Sequence, residues 1–150
     1  MGLFSVFTKG ASKKAQEAAD KMKKMENRDL LQATVAGCLL IAAANDGKIE
    51  PSEVADLERL IQASPAMSHF GAEIPATIGR VLQQFEASFA YGKMQALREL
   101  ADVKASEEEK TEVIVCMISI AGRDGIDEKE MAVIDEIART LGVQYKQFLG

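Results

Sequence analysis

Tryptophan is absent from this chain, aromatic residues make up 5% of it, and histidine occurs once, as His69. Proteins that bind single-stranded nucleic acid stack its bases on aromatic side chains, and this composition offers few such platforms. A lone histidine without cysteine or histidine partners at ligand spacing also fails to form a zinc site. Any ligand binding or catalysis by this chain is therefore expected to depend on other residue types.

Long apolar runs are also missing. The longest, Thr34 to Ala44, falls short of the roughly 20 residues that a membrane-spanning helix needs. No secretory signal is predicted, because no basic start followed by a long apolar stretch occurs near the N-terminus. Cys38 and Cys116 both lie inside apolar segments. We therefore expect reduced, buried thiols in a cytoplasmic protein.

The sequence does contain enough apolar residues for one compact domain, since 47% of its 150 residues are hydrophobic. Its charge is distributed unevenly. Residues 1–28 hold seven basic and three acidic residues, a net charge of +4, so with −5 for the whole chain the remainder carries −9. An acidic body does not neutralise phosphates, and no nucleic-acid partner is expected.

The basic segment, residues 1–26, has the pattern of an amphipathic helical arm. Small and sulfur-containing apolar residues recur along it at three- and four-residue spacing: Ala11, Ala15, Ala18, Met22 and Met25. The lysines occupy other positions: Lys9, Lys13, Lys14, Lys21, Lys23 and Lys24. One interpretation places this arm on an anionic membrane surface or a membrane partner. The other packs its Ala/Met stripe on the rest of the protein.

Residues 27–150 are predicted to form one all-α domain, because helical periodicity recurs and neither strand alternation nor a hairpin turn is found. With the arm, this gives about seven helices. Asn27, Ser106 and Asp127 are expected to cap three of them, the last two with a glutamate three residues further on. Pro75 is expected to open the fourth helix, and Gly92 to mark the break before the fifth.

A duplicated unit organises this domain. The stretch Asp-Gly-Lys-Ile-Glu-Pro-Ser-Glu at 46–53 returns in shortened form as Asp-Gly-Ile-Asp-Glu-Lys-Glu at 124–130. Cys38 falls on Cys116 at a shift of 78, and after the loop the shift becomes 77, which one deleted residue explains. The sequence thus predicts two related helical hairpins, at about 28–63 and 106–142.

Three carboxylates from each repeat loop are the candidate metal ligands: Asp46, Glu50, Glu53, Asp124, Asp127 and Glu130. Turn geometry alone explains several of them, since Glu53 and Glu130 oppose a positive helix N-terminus. It does not explain Asp46 and Asp124, which stand at the unfavourable C-terminal end of a helix dipole. We expect a compensating partner there, either a backbone amide of the next turn or a cation.

Hard divalent cations take several oxygen ligands, and the six carboxylates can supply them if the loops converge. The spacing differs from an EF-hand, because Gly47 directly follows Asp46. It also differs from a di-iron bundle, because no Glu-x-x-His pair is present. Cation binding and pure turn chemistry both stay open at this point.

Four features together resemble the tellurite-resistance TerB family. They are the loops Ala43-x-Asn45-Asp46-Gly47 and Gly122-Arg123-Asp124-Gly125, the opening Met-Gly-Leu-Phe-Ser with its lysine-rich helix, the segment Gln32-x-Thr34-Val35-x-x-Cys38, and the segment Glu136-Ile137-Ala138-Arg139-x-Leu141-Gly142. The resemblance implies an all-helical cytoplasmic protein of a stress-response or phage-defence system, with a membrane partner and calcium-binding relatives. The loop residues proposed to chelate a divalent cation in that family fall here on Asp46, Glu53, Asp124 and Glu130. Arg123 stands where a further acid is sometimes expected, and it would repel a cation.

The leading hypothesis is a non-catalytic binding and scaffolding module, cytoplasmic or peripheral at the inner membrane. It would bind a divalent cation, with Ca²⁺ the expected ion, and associate with a membrane-embedded tellurite-resistance protein and sibling resistance proteins. One alternative is a metal-dependent enzyme of oxyanion detoxification, with Cys38 and Cys116 as nucleophile candidates. No histidine base lies near either cysteine in sequence, which favours a core role for both. The other alternative is a purely structural helical interaction domain.

Overall fold

The computed structural model describes residues 12–149, which form seven α-helices and two short 3₁₀ turns without any β-strand. The all-α prediction is confirmed. The helices are α1 Lys13–Asp20, α2 Arg28–Ala42, α3 Pro51–Gln62, α4 Glu73–Ala87, α5 Phe89–Ala101, α6 Glu107–Ala121 and α7 Glu128–Leu141. The 3₁₀ turns are Ser68–Phe70 and Lys146–Phe148. Within residues 12–149, every helix is too short or too polar to reach across a bilayer.

The three predicted N-caps form as expected. The Asn27 side chain accepts from the Asp29 amide at 2.9 Å and so starts α2. Ser106 and Asp127 each form a reciprocal capping box with the glutamate three residues later, which satisfies free amides at the starts of α6 and α7. At the other end of α7, Gly142 adopts the left-handed conformation with φ 76°.

The break between α4 and α5 lies at Ser88 and not at Gly92. Ser88 is extended (φ −168°, ψ 149°), and its hydroxyl accepts from the Tyr91 amide at 3.0 Å to cap α5. Gly92 sits in the first turn of α5, where an added Cβ would lie 2.6 Å from Phe85 Cα. The glycine therefore permits a close contact between two helices. Phe89 begins α5 and is 39% exposed.

Two further boundaries differ by a few residues from the sequence-based prediction. Helix α2 ends at Ala42, although the apolar run of the sequence continues to Ala44. Helix α4 begins at Glu73, so Pro75 lies within its first turn and does not open it. A proline is tolerated there because the first amides of a helix have no partner within the helix.

Helices α2 and α6 form the centre of the core. Helix α2 buries residues on all of its faces, and α6 buries the seven consecutive residues 113–119. Helix α1 covers α6, whereas α4 and α5 cover α2. Helix α7 packs more extensively on α2 than on α6, its partner in the repeat. The two repeats are therefore interlocked and share one core.

At the crossing of α2 and α6, a methionine side chain packs against a glycine. A Cβ placed on Gly37 would lie 2.1 Å from Met117 Sδ and 2.6 Å from its Cε, so the two helices are in contact at this point. Gly37 is helical and has an ordinary negative φ. Its role is therefore steric and not conformational.

From residue 12 onward, the apolar stripe of the N-terminal segment packs on the bundle. Ala15 is fully buried, Ala19 is 6% exposed and Met25 is 3% exposed. The Met25 amide donates to Ala66 O at 2.8 Å, and His69 Nε2 lies 2.6 Å from Met25 O. Five of the predicted arm lysines are exposed: Lys13, Lys14, Lys21, Lys23 and Lys24. The rest of the predicted arm, with Lys9 and Ala11, lies outside the described residues.

Gly37→Ala is expected to destabilise the protein by about 1–3 kcal/mol, because the new methyl group overpacks against Met117. Gly79→Ala is the matched control: Gly79 lies inside α4 with nothing within 4 Å of an added Cβ. This change should stabilise the protein by up to about 1 kcal/mol through helix propensity. Urea unfolding measures both free energies, and equal effects of the two substitutions would contradict the close crossing.

Candidate functional site

The two repeat loops lie side by side. Gly47 (φ 74°) and Gly125 (φ 106°) supply the left-handed backbone of each turn, a conformation that glycine adopts without steric cost. Asn45 Nδ2 donates to Asp127 Oδ2 at 3.1 Å, a direct bond between residues 82 positions apart. The packing of α2 on α6 therefore brings the acidic residues of both loops to one end of the bundle.

The compensating partner of Asp46 is a backbone amide. Its Oδ1 accepts from the Lys48 amide at 3.0 Å, and the side chain is otherwise exposed. This bond closes a local turn, which is the usual behaviour of an aspartate at such a position. Asp124, its counterpart in the second loop, is also exposed but lines a cleft.

That cleft has a volume of about 260 Å³ and lies between the C-terminal halves of α2 and α6 and helix α3. Its floor is apolar: Cys38, Leu39, Ile41, Ala42, Leu57, Leu60, Ile120 and Ala121. Its charged lining comprises four carboxylates and two guanidinium groups: Glu53, Asp56, Asp124, Glu130, Arg59 and Arg123. We call this space the loop cleft.

Glu53 and Glu130 are the equivalent residues of the two repeats, and both line the loop cleft. Each uses Oε1 to accept the amide at the start of its helix, Glu50 N at 2.8 Å and Asp127 N at 3.0 Å. Among residues 12–149, no donor reaches Oε2 of either side chain. These two oxygens, and the carboxylate of Asp124 in the same cleft, are acceptors that the fold leaves for a ligand.

The electrostatics of Glu130 reflect this arrangement. Burial raises the pKa of its carboxyl above the ordinary value of 4.5, the hydrogen bond from the Asp127 amide opposes this, and the negative charges of Asp127 and Glu53 raise it further. The carboxylate of Glu53, from the other repeat, is thus close enough to destabilise ionised Glu130. A cation between the two would relieve this repulsion.

The six predicted ligands do not all lie at one site. Glu53, Asp124 and Glu130 line the loop cleft, but Asp46, Glu50 and Asp127 do not. Both carboxylate oxygens of Asp127 are engaged, one by Asn45 and the other by the Glu130 amide. In the described part of the chain, no three His, Cys, Asp or Glu side chains gather closely enough to form a ready-made metal site. The residues thus fit a divalent cation only in part, as a two-carboxylate cradle.

Two residues in or near the loops make contacts that the sequence pattern did not indicate. Asp56 lines the cleft one turn after Glu53 and forms an ion pair with Arg59 at 3.2 Å. Asn45 joins the loops through Asp127. The i, i+3 spacing from Glu53 could have identified Asp56, whereas no local signal identifies a bond across 82 residues.

The two cysteines are placed in the core. Cys38 is 3% exposed and Cys116 is 1% exposed. Burial raises the pKa of both thiols, that of Cys116 to about 12, where the nearby Glu112 carboxylate adds to the effect. His69, the only histidine, is hydrogen-bonded to Met25 O. Neither thiol is prepared for nucleophilic attack at neutral pH.

Comparison with known families gives one match. A family model described as "Tellurite resistance protein TerB" matches residues 31–149, which include nearly all of the first repeat, the whole second repeat, both loops and the whole loop cleft. Searches of curated proteins and of solved structures found no match.

Glu130→Gln is expected to gain stability over the wild type as the pH rises from about 4 to about 7. The folded-state pKa of Glu130 is raised, so the native protein binds more protons than the unfolded chain in this window, and the wild type loses stability as the carboxyl ionises. A glutamine oxygen can still accept the Asp127 amide. Urea unfolding at both pH values measures the difference, with Glu128→Gln, an exposed first-turn glutamate, as the control. A constant difference across the window would contradict the assignment.

Proposed function

Because this chain belongs to the TerB family of tellurite-resistance proteins, we propose that it is a non-catalytic binding and scaffolding module whose loop cleft takes up a divalent cation, with Ca²⁺ the expected ion. The observation that carries this proposal is the placement of Glu53 and Glu130. These equivalent carboxylates of the two repeats share one cleft, and Glu53 destabilises ionised Glu130. Like charges that lie close together favour the uptake of a cation.

The chemistry of the cradle indicates which cations suit it. Both free acceptors are carboxylate oxygens, which hard cations prefer. Ca²⁺ takes about six to eight oxygen ligands, so water molecules would complete its shell beside Glu53 and Glu130. With so few protein ligands, we expect weak binding, on the order of 10⁻⁴ to 10⁻³ M.

The second loop modifies this site with charges of both signs. Asp124 adds a carboxylate to the cleft wall, and Arg123, the preceding residue, adds a positive charge to the same wall. Arg59 is already paired with Asp56. Arg123 therefore opposes cation binding, and its removal should tighten it.

We expect Ca²⁺ to raise the thermal stability of the wild type, because a ligand that binds only the native state stabilises it by about 1.4 kcal/mol at ten times its Kd. Titrations with Ca²⁺, Mg²⁺ and Zn²⁺, followed by thermal unfolding, compare the ions. Glu130→Gln and Glu53→Gln should each weaken the response, and Arg123→Gln should strengthen it.

Glu128→Gln serves as the control for these titrations, because it removes an exposed carboxylate of the same helix that does not line the cleft. Its response should match that of the wild type. A wild type that no ion stabilises, or a response that Glu53→Gln and Glu130→Gln leave unchanged, would reject the loop cleft as the cation site.

We also propose that the exposed lysines of the N-terminal segment contact an anionic surface of the inner membrane or of a membrane-embedded partner of the resistance system. Lys13, Lys14, Lys21, Lys23 and Lys24 are exposed, whereas the apolar stripe between them is packed on the core. This favours electrostatic attachment through lysine side chains over insertion of that stripe into lipid. A scaffolding protein that joins a membrane partner to sibling proteins in the cytoplasm would use such a contact.

Replacement of these five lysines by glutamine is expected to abolish co-sedimentation with vesicles rich in anionic lipid, and added salt should weaken wild-type binding in the same way. The control replaces five other lysines, Lys48, Lys104, Lys110, Lys129 and Lys146, and so changes the net charge equally. Equal losses in the two variants would mean that only net charge matters. Binding that survives in the first variant would refute the proposed contact.

A further inference from the structure

A second space lies beside the loop cleft, where the C-terminal ends of α1, α3 and α6 come together. It has a volume of about 230 Å³ and shares three wall residues with the loop cleft, Leu60, Ile120 and Arg123. We call it the junction pocket. Its volume is below the range of about 300–1,000 Å³ that drug-sized ligands occupy, so it suits a small organic molecule.

The wall of the junction pocket carries one negative and one positive charge. Asp20, the last residue of α1, supplies a carboxylate, and Arg123, two residues after the end of α6, supplies a guanidinium group. Among residues 12–149, neither has an ion-pair partner, so the two groups are also too far apart to neutralise each other. The partial negative charges of the helix C-termini add to the negative side. A small ligand with one cationic and one anionic group would meet a complementary charge at each.

A buried hydroxyl group also lines this space. Ser119 borders the junction pocket and is 8% exposed. The hydroxyls of Thr34, Thr111 and Thr140 each donate to the carbonyl oxygen four residues earlier, the usual bond of such a side chain within a helix. In the part of the chain that the structure describes, the Ser119 hydroxyl makes no such bond. A buried hydroxyl without a partner is costly, and a ligand in the pocket would supply the missing hydrogen bond.

We propose that the junction pocket binds a free α-amino acid with an apolar side chain, of about the size of leucine. The guanidinium group of Arg123 binds the α-carboxylate through its N–H donors, and the carboxylate of Asp20 binds the α-ammonium group. The Ser119 hydroxyl adds a hydrogen bond to one of these two groups. Leu60 and Ile120 belong to the apolar part of the wall, which suits an aliphatic side chain.

This site is separate from the cation site in the loop cleft. Asp20 and Ser119 do not line the loop cleft, and Glu53 and Glu130 do not line the junction pocket. Arg123 is the one charged residue that lines both. Removal of its charge should therefore have opposite effects, tighter cation binding in the loop cleft and weaker amino-acid binding in the junction pocket. The two proposals can fail independently of each other.

The test titrates the full-length protein with L-valine, L-leucine and L-methionine by isothermal titration calorimetry, with EDTA present to remove divalent cations. Isocaproate, which is leucine without its ammonium group, and isoamylamine, which is leucine without its carboxylate, are the matched ligands. We expect leucine to bind and each of these two to bind about tenfold more weakly or worse, because each loses charge-assisted hydrogen bonds. If none of the three amino acids binds, or if isocaproate or isoamylamine binds as tightly as leucine, the proposal is overturned.

Single variants identify the groups that hold the ligand. Arg123→Gln and Asp20→Asn should each lower the affinity for leucine about tenfold or more, and Ser119→Ala should lower it severalfold. Arg123 and Asp20 are exposed, so these two substitutions should preserve the fold. Arg98→Gln and Asp102→Asn are the controls, because they remove exposed charges of the same kinds that do not line the pocket. Wild-type affinity in Arg123→Gln or Asp20→Asn, or equal losses in the controls, would overturn the site.

Discussion

The close approach of α2 and α6 at Gly37 and Met117 is the contact on which the rest of the structure depends. The Met117 side chain packs directly against the backbone of Gly37, and the two repeats share a single core. The same approach brings both acidic loops to one end of the bundle and both cysteines to its middle. A bulkier residue at position 37 would displace the Met117 side chain in the centre of the core. The loop cleft lies between the same two repeats, so its shape depends on this packing.

The duplication places similar residues in the two loops, but the structure gives them different tasks. Asp46 closes its own turn by accepting the Lys48 amide, whereas Asp124 faces the loop cleft. The second loop is one residue shorter, so its aspartate stands in a different relation to the helix that follows. Glu53 and Glu130 each follow the N-cap residue of their helix by three positions, and they keep equivalent positions in the two repeats. The two repeats thus place their residues alike at the helix starts. They place them differently in the loops, because the loops differ in length.

The loop cleft carries an electrostatic cost at Glu130. This side chain is half-buried and lies near the carboxylates of Asp127 and Glu53. The favourable interaction of its charge with the N-terminus of α7, and its hydrogen bond to the Asp127 amide, offset part of that cost. Sites of this kind, in which like charges are held together, often mark where a ligand supplies the missing charge. The positive charge of Arg123 among these carboxylates would limit how tightly a cation could be held.

The sequence alone predicted the features that depend on residues close together in the chain. The caps at Asn27, Ser106 and Asp127, the all-helical pattern, the duplicated unit and the resemblance to the TerB family all follow from local order. The prediction of a helix break at Gly92 was wrong. A glycine in a helical pattern can mark either the end of a helix or a close contact between two helices. Only the position of Phe85 on the neighbouring helix shows that it serves the contact.

Tertiary structure decided the rest. It selected three of the six candidate carboxylates for one cleft, joined Asn45 to Asp127 and placed Met22 beside Cys116. The physical reason is the range of the interactions. Caps and turns form within about four residues and are readable from spacing. Contacts between residues 82 or 94 positions apart exist only after α1, α2 and α6 have packed together.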